Sequence, residues 1–235
     1  MIKFLKKQRI VHLLYRMLFP TDEKGWFSIP LRDRITLANI WKMFICSNQY
    51  FGGLYLYQSY EPLNVPGSRP TEKRFKEYNL EEIIKPTYKV LDIGCNMGFF
   101  SLYSSRYAKK VVGFDINENL IEIANYAKER LGIDNVDFHH GDFNSYQYAE
   151  KFDVIYAFAV YKWIGVSMND LLDRIKPILN DGGYVLIESN NYHVVEEEFE
   201  LDLDKIRKDE FSIVDSGYTN YETRRKYVVL KYSSI

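Results

Sequence analysis

Cysteine is scarce in this chain: Cys46 and Cys95 are the only two among 235 residues. Two cannot make a disulfide framework, and neither sits in a C-x-x-C pair or among histidines, so a stapled scaffold and a zinc site are both excluded. A reducing, cytoplasmic setting is the expected one. Long apolar runs are also missing. The longest uncharged stretch, Met43 to Tyr60, is broken by Ser47, Asn48, Gln49, Gly52, Gly53 and Gln58. Crossing a bilayer takes about 20 mainly apolar residues, so this stretch is not a transmembrane helix. Excess charge of one sign is absent as well: the net charge is −1, and the chain as a whole does not draw nucleic acid by its average field. Internal repeats and low-complexity tracts are not found. With 46% hydrophobic and 27% charged residues, the chain is long enough for one sizeable core and an appended segment.

The beginning of the chain mixes Lys3, Lys6, Lys7, Arg9 and Arg16 with many large apolar residues. It lacks the uninterrupted apolar stretch and the small-residue cleavage site of a secretory signal. It reads as an amphipathic basic helix ended by Pro20, expected to pack on the protein's own body. Peripheral contact of residues 1–19 with an anionic membrane is the alternative. Farther on, Tyr50, Phe51, Tyr55, Tyr57 and Tyr60 crowd together, either as core packing under a lid or as a wall facing substrate. The turn-rich stretch from Glu61 to Pro70 then marks a junction near residue 70, with Thr71 as the expected N-cap of the next helix. Residues 1–70 are thus read as a helical, aromatic N-terminal cap, and residues 71–235 as the main domain.

The most informative run is Val90-Leu91-Asp92-Ile93-Gly94-Cys95-Asn96-Met97-Gly98-Phe99-Phe100. It places a short apolar strand, an acidic end and a glycine-bearing turn directly before a helix. Glycine turns the chain sharply and lets a ligand approach the backbone, while the first N–H groups of the helix are expected to face that ligand. A second apolar strand, Val111-Val112-Gly113-Phe114, ends in Asp115, and a carboxylate at that place is the usual partner of a ribose diol. A dinucleotide fingerprint counted from Gly94 requires glycine at 96 and 99, where the chain has Asn96 and Phe99, so NAD and FAD are disfavoured.

These residues resemble motif I of the class I S-adenosylmethionine-dependent methyltransferases, D-x-G-x-G-x-G, read here as Asp92, Gly94, Asn96 and Gly98. Asn96 replaces one glycine, and asparagine tolerates the left-handed backbone that such a loop uses. The resemblance continues over roughly residues 80–235. Asp115 falls at the family's ribose-binding position, Gly141-Asp142-Phe143 at its adenine-contacting turn, and Phe152 to Phe158 at its fourth strand. Leu179 to Glu188 matches its Gly-Gly turn and fifth strand.

The resemblance implies S-adenosyl-L-methionine as cofactor, held by Asp92, Gly94, Cys95, Asn96, Gly98 and Phe99 in the loop, by Asp115 and Ile116, and by Asp142 and Phe143. A less specific likeness around residues 57–75 implies Arg69 or Arg74 as partner of the cofactor's carboxylate. For the sulfonium, aromatic residues at and after the fourth strand (Tyr156, Phe158, Tyr161 and Trp163) are expected to form a wall. Tyr161 and Trp163 are the expected substrate-binding residues. If the acceptor is a hydroxyl, His193 is the leading general base, because its ordinary pKa lies near neutrality; His139 and His140 rank below it.

The fold class expected is α/β: a Rossmann-like, doubly wound, seven-stranded and mostly parallel sheet with its last strand antiparallel. Strands are expected near 88–93, 110–115, 135–140, 152–158, 183–189, 210–215 and 226–232. Helices are expected over 98–108, 118–131, 168–179 and 195–208. The function expected is methyl transfer to a small-molecule or glycan-precursor acceptor, O-directed. Two other readings stay open. One is an RNA methyltransferase, from the loose likeness of Tyr161-Lys162-Trp163-Ile164 to a Lys-Trp segment of enzymes that methylate an RNA terminal phosphate. The other is a non-catalytic binding or scaffold protein, because function resides in sites and not in folds.

Overall fold

The computed structural model describes Val11 and residues 29–47, 56–145, 148, 150–190, 195–206, 209–220 and 224–234. The basic stretch 1–19 beyond Val11, the aromatics Tyr50, Phe51 and Tyr55, and His193 lie outside the described residues. No described helix is long and apolar enough to cross a membrane.

Helix α1 (Leu31–Cys46) precedes two short strands, β1 (Leu56–Gln58) and β2 (Gly67–Arg69), and the helices α2 (Thr71–Glu77) and α3 (Leu80–Ile83). The alternating part follows: β3 (Lys89–Ile93), α4 (Phe99–Ser104), β4 (Lys110–Asp115), α5 (Glu118–Leu131), β5 (Val136–His140), β6 (Phe152–Phe158), α6 (Tyr161–Ile164), α7 (Met168–Ile175), β7 (Leu179–Glu188), α8 (Val195–Asp204), β8 (Phe211–Tyr218) and β9 (Lys226–Tyr232). Strands β3 to β9 form one seven-stranded sheet in the order β5-β4-β3-β6-β7-β9-β8. All neighbours are parallel except β7–β9 and β8–β9. This is the sheet the sequence pattern calls for, antiparallel hairpin included.

Both faces of the sheet are buried at its central strands, while the edge strand β8 is largely exposed. Val90, Val111, Val154, Tyr156 and Leu186 pack under α1, α2, α4 and α5. Leu91, Val112, Ile155, Val185 and Ile187, one residue out of step, pack under α7 and α8. Residues with period two on a strand covered on both sides must all be apolar, which is why these strands read as unbroken runs. The segment before the sheet shares the first of these cores: Leu37, Trp41, Leu56, Tyr60 and Leu63 are buried in it. Asn39 of α1 donates to the Tyr126 hydroxyl (2.8 Å) and Arg130 of α5 to Thr36 (3.1 Å), tying the two helices together.

Element ends follow local chemistry. Asn117 caps α5 by accepting from the Asn119 N–H, and Gly132 at φ +67° ends it. A capping box between Ser167 and Asp170 starts α7. That helix stops at Ile175, short of the expected 179, because Pro177 converts the continuation into a 3-10 turn. Helix α4 is also shorter than expected: Ser104 bonds back to the Phe100 carbonyl and Ser105 to that of Leu102, and the helix ends there. Thr71 is the first residue of α2 and not its cap; its hydroxyl donates to the Ser59 carbonyl instead (2.6 Å).

Candidate functional site

The strand order reverses direction between β3 and β6, and a crevice at the carboxyl ends of strands at such a point is where open α/β sheets hold ligands. A cavity of about 840 Å³ lies there. One part of its wall comes from the ends of β3, β4 and β5: Gly94, Asn96, Asp115, Ile116, Asp142 and Phe143. The other part comes from β6, β7 and β9, through Phe158, Ala159, Asn190 and Arg225. Phe44, Leu56, Tyr57 and Ser68, from the chain before the sheet, close it.

The loop after β3 turns through three left-handed residues, Gly94 (φ +70°), Asn96 (φ +56°) and Gly98 (φ +71°). Asn96 thus keeps the path that glycine would take there. Gly94 and Cys95 both donate their N–H to the Phe114 carbonyl at 2.9 Å, locking the loop to β4. A Cβ on Gly94 would overlap Cγ1 of Val160, so only glycine lets the two loops meet. From outside the sheet, Gln58 of β1 holds both ends of the loop. Its Nε2 donates to the Cys95 carbonyl (3.4 Å), and its Oε1 accepts from the Phe99 N–H (3.2 Å). The first amide of α4 is therefore engaged by Gln58, where the sequence pattern expected it to face a ligand.

Asp115 accepts from the Asn96 N–H and the Asn117 N–H, both at 2.9 Å, one on each oxygen. A carboxylate has about four lone-pair sites, so acceptor capacity remains for a further donor. Burial raises the Asp115 pKa, and the backbone amides of Asn117, Asn96 and Ile116 and the nearby His140 oppose that rise. Phe143 stacks parallel to Phe114 (interplanar angle 3°), and Ile116 stands 71% exposed at the rim. A carboxylate with acceptor capacity left, the apolar side chains of Ile116 and Phe143 and a close-approach glycine loop on one wall could hold an adenosine moiety, with Asp115 as the group able to accept from a ribose diol. S-adenosylmethionine fits this set.

Asp92, Cys95, Gly98 and Phe99 stand behind the wall. Asp92 accepts from the Ser101 hydroxyl at 2.5 Å, and burial pushes its pKa up to about 6. Cys95 is buried with its thiol pKa raised by that burial. Gly98 is pressed against the Phe138 ring, and Phe99 stacks on Tyr60 at 5.1 Å. Arg69 is buried with its guanidinium 5.7 Å from the Tyr57 ring centre, and Arg74 is bonded to Glu188; neither is on the cavity wall. Of the four aromatics expected around the sulfonium, Phe158 and Trp163 line the cavity. Tyr156 is fully buried beside Ser104, and Tyr161 is buried against Phe199 with its hydroxyl donating to Asp202 (3.4 Å). Trp163 is 78% exposed at the rim, and the ammonium of Lys162 beside it is held by Asp202 and Glu198.

Three residues of this site escaped sequence reasoning. Arg225 lines the cavity, donates to the Tyr57 hydroxyl (3.1 Å) and lies 3.5 Å from Glu188. Glu188 in turn accepts from Arg74 (2.9 Å) and from the Tyr78 hydroxyl (2.9 Å). Asn190 completes the set. A glutamate closing an apolar strand was a visible signal; that two arginines from distant segments converge on it was not.

A family model described as "Methyltransferase domain" matches residues 84–226, more than half of the chain. Among curated proteins, the probable S-adenosyl-L-methionine-dependent methyltransferase TehB of Haemophilus influenzae is 35% identical over 107 residues, 45% of this chain and 37% of that protein. The ribosomal protein L11 methyltransferase of Caldanaerobacter subterraneus subsp. tengcongensis is 32% identical over 111 residues, 47% of this chain and 35% of that protein. The matches thus span little more than a third of those relatives' length. Among solved structures, N-methyltransferase NodS of Bradyrhizobium japonicum WM9 aligns with a TM-score of 0.55 at 17% identity, covering 69% of this chain and 97% of that one. A methyltransferase from Thiobacillus denitrificans, solved with S-adenosyl-L-homocysteine, gives 0.56 at 16% identity, covering 69% and 92%. Sheet order, loop geometry and the family match agree, and the chain belongs to the methyltransferase-domain family.

Proposed function

We propose that this protein is an S-adenosylmethionine-dependent methyltransferase that acts on a hydroxyl of a small-molecule or glycan-precursor acceptor. The observation that carries this reading is one cavity with two chemically different walls. Asp115, Asn96 and Phe143 suit a nucleoside, while Phe158, Asn190 and Arg225 offer an aromatic face and two polar groups beside it.

The bound cofactor supplies an electrophilic methyl group on a cationic sulfur. The chain's own part is placement and exclusion of water. The Gly94 loop and Asp115 fix the nucleoside, and Phe158 gives an apolar surface beside the reacting centre. Phe44, Leu56, Tyr57 and Ser68 shield the cavity, which favours an acceptor small enough to be enclosed. Proximity and orientation of this kind contribute about 7–11 kcal/mol in well-positioned systems. An RNA acceptor is less well supported, because the cation that would meet a phosphate at the rim, Lys162, is already paired with two carboxylates. His193 remains the proposed base.

Calorimetric titration with S-adenosylmethionine and S-adenosylhomocysteine tests the cofactor, with NAD as control. Micromolar binding that Asp115→Ala weakens, with NAD inert, is expected. A folded sample that binds neither would overturn the reading.

A further inference from the structure

We propose that the methyl acceptor is an anion: the hydroxyl-bearing molecule also carries a carboxylate or phosphate group, which Arg225 and Tyr57 receive at the end of the cavity away from Asp115. The inference rests on the methyltransferase reading above and narrows its substrate to one charge class.

The charges on the cavity wall are divided by sign. Among the described residues that line it, the charged ones are Asp115, Asp142 and Arg225. The two carboxylates stand on the nucleoside wall, at the end of β4 and just beyond β5, whereas Arg225 stands just before β9. Strands β4 and β9 are separated in the sheet by β3, β6 and β7, which makes four strand spacings of about 4.8 Å each. Methyl transfer is an in-line displacement, so the nucleophile approaches from the side of the methyl group opposite sulfur. The acceptor therefore occupies space that the nucleoside does not, and the wall built from β6, β7 and β9 bounds that space.

On this wall the cations outnumber the carboxylate they share. Nη1 of Arg225 lies 3.5 Å from Oε2 of Glu188, and Nη2 of Arg74 is closer to the same oxygen, at 2.9 Å. The side chains of Arg225, Arg74 and Glu188 are 6%, 3% and 0% exposed, and the three groups together carry one positive charge. At the rim the balance is reversed, since Lys162 is a single cation between Asp202 and Glu198. A positive charge withdrawn from water is stabilised by an anion brought into the enclosed cavity, and a ligand of the matching sign is the one selected.

Tyr57 adds a directed donor. Its hydroxyl oxygen accepts from Nη1 of Arg225 at 3.1 Å, so its own proton is available to a further acceptor. Tyr57 is half-buried on the cavity wall, with the Arg69 guanidinium 5.7 Å from its ring centre. Asn190, on the same wall, gives its amide N–H to the Ala159 carbonyl at 2.6 Å. A guanidinium and a hydroxyl proton side by side suit the paired oxygens of a carboxylate or a phosphate, and they disfavour a cation.

Inorganic phosphate and acetate test this without knowledge of the acceptor. Each is titrated at constant ionic strength into the wild type, Arg225→Gln and Tyr57→Phe, all saturated with S-adenosylhomocysteine so that the cofactor's own place is filled. A melting curve for each protein establishes that it is folded. At least one anion is expected to saturate the wild type in the millimolar range, with affinity falling at least tenfold in Arg225→Gln and roughly fivefold in Tyr57→Phe. A wild type that takes neither anion overturns the inference, as does a folded Arg225→Gln that takes them equally well. If Arg225→Gln does not fold, unchanged anion binding by Tyr57→Phe overturns it. In parallel, S-adenosylhomocysteine and methylthioadenosine, which lacks the carboxylate, are titrated into the three proteins without added anion, and affinities that do not differ among the proteins are expected. Selective loss of S-adenosylhomocysteine in Arg225→Gln would assign Arg225 to the cofactor's own carboxylate and overturn the inference alone. A wild type that binds neither nucleoside overturns the cofactor reading and this inference with it.

Discussion

Nη2 of Arg74 lies 2.9 Å from Oε2 of Glu188, with the two side chains 3% and 0% exposed. The pair joins α2, before the sheet, to the end of β7, and the Tyr78 hydroxyl and Arg225 converge on the same carboxylate. Breaking a buried pair leaves an uncompensated charge in a medium that solvates it poorly, at a cost of about 3–5 kcal/mol. Glu188→Ala is therefore expected to destabilise the fold by about that amount, read from urea unfolding. A change below about 1 kcal/mol would show that the network does not hold α2 to the sheet.

Gln58 reaches the cofactor loop from outside the segment that the family model covers. Gln58→Ala removes both clamps at once and is expected to weaken S-adenosylhomocysteine binding roughly tenfold, since each buried bond contributes about 1 kcal/mol. Calorimetry checks it. An unchanged affinity would mean that the contacts to Phe114 alone shape the loop.

At Gly94 two constraints act together, φ +70° and contact with Val160. Gly94→Ala is expected to abolish measurable cofactor binding. Adding Val160→Ala removes the overlapping Cγ1 but not the backbone strain, so the double variant is expected to recover binding in part. Full recovery would assign the effect to sterics alone, and no recovery to the backbone conformation alone.

The buried carboxyl of Asp92 has its pKa raised by burial to about 6, from an ordinary 3.8. Between these values the native state holds more protons at this site than the unfolded chain. The contribution of Asp92 to stability is therefore present at low pH, lost as pH rises through about 6, and flat above it. Asp92→Asn removes this term. The stability difference, variant minus wild type, is expected to rise by on the order of 2 kcal/mol from pH 4 to pH 7. A difference independent of pH would show that Asp92 titrates normally.

Much of this was legible in the chain. Unbroken apolar runs at alternating spacing announced a sheet covered on both faces, and Gly94, Asn96 and Gly98 announced a loop of left-handed residues, because those conformations restrict the residue type at the position itself. Arg225 and Asn190 were silent by contrast, since an arginine before a strand and an asparagine after one are ordinary in any sequence. Tyr161 and Tyr156 misled for a related reason: position along the chain places them near the site, but the direction of each side chain is set by what packs around it, Phe199 for one and Ser104 for the other.

Local rules, in short, determined strands, turns and the glycine loop, because hydrophobic period and backbone sterics act between near neighbours in the chain. Only the tertiary structure decided that Gln58 would grip the loop, that Arg74 and Arg225 would share Glu188, and that the Asn190 amide would stand against Ala159. Those contacts join residues 31 to 114 positions apart. Their energy comes from groups made neighbours by packing and buried away from water, a circumstance that no stretch of sequence records.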